Sequence, residues 1–138
     1  MKKIPITESA LIVRTDFSDQ AAWESLMAAV REPGEPFIFN MEFLDKRENN
    51  AANVEQILKA VPEDYPHSFI VIADTVAISE PDHPLLVLDL LEERGRQFRA
   101  LAAQVPSIEN NLSIGNMGFE EFADSVDESG VFRGFPEM

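Results

Sequence analysis

The chain contains no cysteine, which excludes disulfides, thiolate zinc sites and cysteine nucleophiles before any pattern is considered. Histidine is nearly as scarce: His67 and His83 are the only two, each beside a proline at the edge of a loop. There is no G-x-x-x-x-G-K loop, no G-x-G-x-x-G loop and no G-x-S-x-G turn. Nucleotide binding by the usual glycine loops and serine hydrolysis by a nucleophile elbow are therefore unsupported. Long apolar runs are missing too. Nothing after Met1-Lys2-Lys3-Ile4-Pro5 resembles the apolar core of about 7 to 15 residues found in a signal peptide, and no run approaches the roughly 18 residues of a spanning helix. These absences lead us to expect a cytoplasmic protein with no membrane contact.

Positive charge is the last shortage. The 138 residues carry 11 Lys and Arg against 25 Asp and Glu, a net charge of −14. Such a field repels phosphate backbones and anionic membranes and speeds encounter with basic partners. It also keeps a protein soluble. The excess is uneven. Residues 60 to 93 hold Glu63, Asp64, Asp74, Glu80, Asp82, Asp89, Glu92 and Glu93 with no Lys or Arg, and the stretch after residue 105 has Arg133 as its one basic residue.

What is present is enough apolar material, 45% of the chain, for one core at the length of one domain, 1–138. The apolar run Phe69 to Ala73 reads as a central strand buried on both faces. Ahead of it, Ala10 to Thr15 reads as a first strand. A helix follows, with Ser18 as N-cap, Trp23, Leu26, Met27 and Val30 on one face, and Pro33-Gly34 at its close. Phe37 to Asp45 alternates like a second strand. Asn53 and Gln56 have capping-box spacing before Val54, Ile57, Leu58 and Val61, which repeat at the helical period.

Beyond Asp74 the pattern changes. Thr75 to Ile78 reads as an extension or bend of the central strand, and Leu85 to Leu91 as another strand. Glu92-Glu93-Arg94-Gly95 reads as a turn, and Arg96 to Leu101 as its antiparallel partner. Ser107 is placed to cap a short helical turn. A last helix carries Phe119, Phe122, Ala123 and Val126, and Val131, Phe132 and Phe135 are too apolar for a free tail. The expected fold is a single-domain α/β protein of two or three layers, in the order β-α-β-α-β-β-β-α. Its mixed sheet of five strands has the first three parallel and the last antiparallel.

Parallel strands would leave Asp16, Asp45 and Asp74 at one carboxyl rim. With Asp19, the set Asp16 and Asp74 could hold magnesium for phosphoryl transfer or hydrolysis, although turn and capping roles serve equally. His67 and His83 suit loop hydrogen bonding better than catalysis, since no nucleophile is presented to either. Gly115-Asn116-Met117-Gly118 has the spacing of a nucleic-acid-binding G-x-x-G loop but lacks flanking cations. Arg94, Arg96 and Arg99 form the one basic cluster and balance Glu92 and Glu93.

No catalytic constellation is complete, and no cofactor is expected. The sequence points to a non-enzymatic module that binds a basic protein partner through Glu63, Asp64, Glu80, Asp82, Glu92, Glu93, Glu120, Glu121 and Asp124. Imitation of DNA by the same surface is a further alternative.

Five stretches carry a family resemblance: Leu11 to Ser18 with Trp23; Val61 to Phe69; His83 to Leu90; Glu109 to Ile114 with Phe119 to Ala123; and Gly130 to Phe135. Together they resemble an uncharacterised family of small, mainly actinobacterial proteins, which implies a free-standing domain and no particular activity. Gly118-Phe119-Glu120-Glu121-Phe122-Ala123 is also similar to the end of immunity proteins of the SMI1/KNR4 type, although the βαβαβ beginning departs from theirs.

Overall fold

The computed structural model describes residues 3–33 and 38–135. Its centre is β3, Phe69–Ala73, whose five side chains are all buried. β1, Leu11–Arg14, lies beside it in parallel, with Ile12 opposite Val71 and Val13 opposite Ile72. β2, Glu42–Leu44, lies parallel to β1 on the outer side. Across β3 run β4, Pro84–Asp89, and β5, Gln97–Leu101, both in antiparallel pairings. The short β6, Val131–Phe132, closes the order β2-β1-β3-β4-β5-β6.

This is an α/β domain on a mixed sheet, with the first three strands parallel as expected. The sheet has six strands instead of five. The added strand is the apolar tail segment, which pairs in parallel with β5. Its border is closed by Asp127, whose side chain accepts the Val131 N–H while its backbone N–H donates to the Val131 carbonyl.

The chain leaves β1 toward β2 and then returns past β1 to β3, so right-handed crossovers place the two connecting helices on opposite faces. α1, Gln20–Arg31, buries Trp23, Leu26 and Val30 against Ile12, Val71 and Val87. Its N-cap is Asp19, whose carboxylate accepts the Ala22 N–H at 3.0 Å, one residue later than the sequence suggested. α2, Val54–Ala60, starts in the expected Asn53/Gln56 capping box and buries Ile57 against Leu11, Val13, Ile70 and Ile72. The described part of the second strand is shorter than the alternation implied. Gly34 and Phe37 lie outside the described residues.

Thr75 to Ile78 does not continue the strand. The Asp74 carboxylate accepts the Ala77 N–H at 3.1 Å and starts the one-turn helix α3, Thr75–Ser79. A local cap thus overrides the strand preference of Thr75, Val76 and Ile78. α4, Val105–Ser113, begins before Ser107, with Pro106 in its first turn and no side-chain cap. α5, Phe119–Ala123, packs Phe122 edge-on to Phe132 at 5.3 Å, and Phe135 returns to both rings. Among the described residues no helix is long and apolar enough to cross a membrane.

Candidate functional site

Parallel β1, β2 and β3 bring Asp16, Asp45 and Asp74 to the same rim, and each carboxylate meets protein donors there. The Arg14 side chain, 2% exposed as a residue, reaches up from β1. It donates to Gln20 Oε1 at 2.9 Å, to Asp45 Oδ1 at 3.3 Å and to the Asp16 carbonyl at 2.9 Å. Its plane lies over Phe17 and Trp23, with the guanidinium carbon 4.3 and 5.0 Å from the ring centroids. Asp16 accepts the Ser18 N–H at 2.8 Å. Hydrogen bonds from Ser18 hold this carboxyl below the ordinary range, with smaller help from Thr75 and Arg14.

Asp74 takes both Arg99 Nη atoms, at 3.0 and 2.7 Å, besides capping α3. Asp19 caps α1. The rim therefore places Asp16, Asp19 and Asp74 in separate turns and ion pairs. Among the described residues no group of three or more His, Asp or Glu side chains is arranged to hold a metal ion.

The two histidines tie segments together. His67 Nε2 lies 2.9 Å from the Thr7 carbonyl. His83, 5% exposed with φ +48°, places Nδ1 2.8 Å from the Ala77 carbonyl and Nε2 3.1 Å from Ser25 Oγ. A carbonyl can only accept, so Nδ1 carries a proton, and in the neutral ring Nε2 then accepts from the serine hydroxyl. Ser25 sits in the middle of α1, where neighbouring N–H groups are engaged in helical bonds and none is left to form an oxyanion hole. The pair pins the α3–β4 loop to α1. Nothing in the sequence signalled it, because the partners are 58 residues apart.

The acidic residues divide among three places. Glu63 and Asp64 stand in the turn after α2, where they line a hollow with Lys3 and Lys59. Glu80 and Asp82 lie in the α3–β4 loop and border a hollow with Arg99 and Arg133. Glu92, Glu93, Glu120 and Asp124 gather where the β4–β5 turn meets α5, at the rim opposite Asp74, because Asp89 pairs with Phe69 at the start of β3.

The basic cluster also separates. Arg94 donates to the Leu58 carbonyl at 2.7 Å, and Arg99 goes to Asp74. Arg96 bridges Asp124 at 2.9 Å and Glu93 at 3.8 Å. Glu121 is held by the Gly118 N–H at 2.8 Å. Glu92 faces Glu120, and this like charge, first among several causes, pushes the exposed Glu92 carboxyl above its ordinary range. Glu120 Oε2 is buried without a hydrogen-bond partner.

Two side chains that the sequence did not single out for these roles shape this corner. Asp89, 2% exposed, accepts the N–H groups of Leu91 at 2.9 Å, Glu92 at 3.4 Å and Glu93 at 2.9 Å, fixing the turn that carries the acids. Asn111, buried in α4, accepts Asn116 Nδ2 at 2.8 Å, while its carbonyl takes the Asn116 and Met117 N–H groups. It thereby fixes the Gly115-x-x-Gly118 loop. Between turn and loop lies a cavity of about 250 Å³ with Ser68, Asp89 and Glu92 on one side and Leu112, Met117 and Phe119 on the other. An aspartate at a strand end was the one readable trace of the first network.

A family model described as a domain of unknown function, DUF6924, matches residues 9–135. No curated protein matches the chain.

Proposed function

The chain belongs to the DUF6924 family, a domain of unknown function, and we propose that this member is a non-enzymatic module that captures a basic protein partner, as an immunity or regulatory protein would. The observation that carries this reading is the Glu92–Glu120 pair. The exposed Glu92 carboxylate is set against that of Glu120, one of whose oxygens is buried without a hydrogen-bond partner, while the nearby arginines are engaged elsewhere. An arrangement that raises the energy of its own charge is relieved when a cation arrives. The net charge of −14 adds long-range attraction for such a partner.

The test is calorimetric titration with a synthetic peptide of alternating arginine and leucine, at low and at physiological ionic strength. Binding that weakens as salt rises is expected. Absence of binding, or affinity indifferent to salt, overturns the proposal.

A further inference from the structure

We propose that the cavity between the β4–β5 turn and the α4–α5 loop is the anchor pocket for this partner and receives a single arginine side chain. The inference rests on the capture reading above and specifies where and by what chemistry capture occurs.

Size is the first argument. At about 250 Å³ the cavity is smaller than the roughly 300 to 1,000 Å³ usual for a whole cofactor or drug-sized ligand, and a single long side chain suits it better. Its walls are the second. Leu91, Leu112, Met117 and Phe119 offer apolar surface for a hydrocarbon stem, and Glu92 lies at the same opening. The Glu120 carboxylate abuts the wall glycine, since a Cβ on Gly118 would come within 2.6 Å of its oxygens. An arginine is built to match: methylenes that cover apolar surface and a planar guanidinium that can face the Glu92 carboxylate at the opening.

Exposure points the same way. Leu91 is 72% exposed and Ile114, next to the loop, 68% exposed, an arrangement of large apolar side chains around an acidic mouth. Charge complementarity therefore selects a basic segment with apolar neighbours over a neutral apolar one. The Asp89 and Asn111 networks hold both walls before any partner arrives, so little ordering is required on binding.

The experiment compares a short peptide having one central arginine between leucines with the same peptide carrying citrulline, which keeps the shape and loses the charge, and with a lysine version. We expect the citrulline peptide to bind about tenfold or more weakly, and the lysine peptide to fall between. In the protein, Glu92→Gln should weaken arginine-peptide binding about fivefold. A Glu24→Gln, Glu55→Gln double variant, altering exposed acids of α1 and α2 outside the binding surface, should change it less than about twofold. Gly118→Ala, which displaces the Glu120 carboxylate, should act like Glu92→Gln.

Near-ultraviolet circular dichroism of each variant confirms that it is folded. If the wild-type protein binds none of the peptides, the capture reading itself falls. If it binds them but the two sets of acid variants weaken binding equally, capture stands and the pocket is overturned. Equal affinity for the arginine and citrulline peptides also overturns the pocket.

Discussion

The two rims of the sheet hold the same kind of residue in opposite circumstances. At the carboxyl ends of β1 and β3, Asp16 and Asp74 receive N–H groups and hydroxyls, and Arg14 and Arg99 supply positive charge from within the strands. At the other rim Glu92 and Glu120 face each other. Both rims use carboxylates as architecture, Asp16 and Asp74 at one and Asp89 at the other, but the second also carries two acids set against each other. The difference lies in where donors go. A strand end followed at once by a helix start turns free N–H groups onto its aspartate. The N–H groups of the β4–β5 turn go to Asp89, and its Arg94 and Arg96 to Leu58, Asp124 and Glu93, away from the Glu92–Glu120 pair.

Four measurements sharpen or break this contrast. The largest effect is expected from Arg14→Ala. It removes a buried guanidinium, leaves Gln20 and the Asp16 carbonyl without their donor and uncovers Phe17 and Trp23. A loss of about 3 kcal/mol should appear in urea denaturation. A loss below about 1 kcal/mol would mean that this rim is no more consolidated than the other.

Asp74→Asn keeps an oxygen for the α3 cap but removes the charge opposite Arg99. Because both side chains are about one quarter exposed, 26% and 23%, solvent screening reduces the expected cost to about 1 to 2 kcal/mol, read the same way.

Tyr65 tests the parallel half from below. Its hydroxyl accepts the buried Leu11 N–H at 3.2 Å, so Tyr65→Phe should cost about 1 to 2 kcal/mol. Burial pushes this phenol up to about 12 from the usual 10.0. The folded state thus retains a proton that the unfolded chain releases. The stabilisation is complete below about 10 and is lost as pH rises toward about 12. Tyr65 is the sole tyrosine, so phenolate absorbance follows it directly. A titration midpoint near the usual value would remove this argument.

The smallest effect belongs to Glu92→Gln. A carboxyl raised in the fold binds its proton more readily than in the unfolded chain, so ionisation as pH rises through the raised value costs stability. At neutral pH the variant should unfold at a denaturant midpoint no lower than that of the parent. A clear decrease would show that Glu92 is held by its surroundings.

The parallel half was legible because its signals are local. β1, the buried β3, the α1 face and the Asn53/Gln56 box each declare themselves within one short window. α3 was hidden because its β-branched residues prefer strands, while the deciding interaction is a single Asp74 cap. β6 read as a docking tail because two residues are too few to show alternation. The acidic excess was plain from composition, but its division was not. Glu80 and Asp82 lie within a dozen residues of Glu92, and reversal of the chain in β4 carries them to the other rim. Asp89 and Asn111 act through backbone groups, which no side-chain pattern in a sequence displays.

The border strand β6 has a consequence for company as well as for shape. Asp127 occupies both hydrogen-bonding groups of Val131, and the strand ends after one more residue. A neighbouring chain seeking to lengthen the sheet on this flank finds almost no free backbone to join. Growth into ribbons from this side is thereby discouraged, and the molecule can crowd its own copies while keeping its turns and helix faces for recognition.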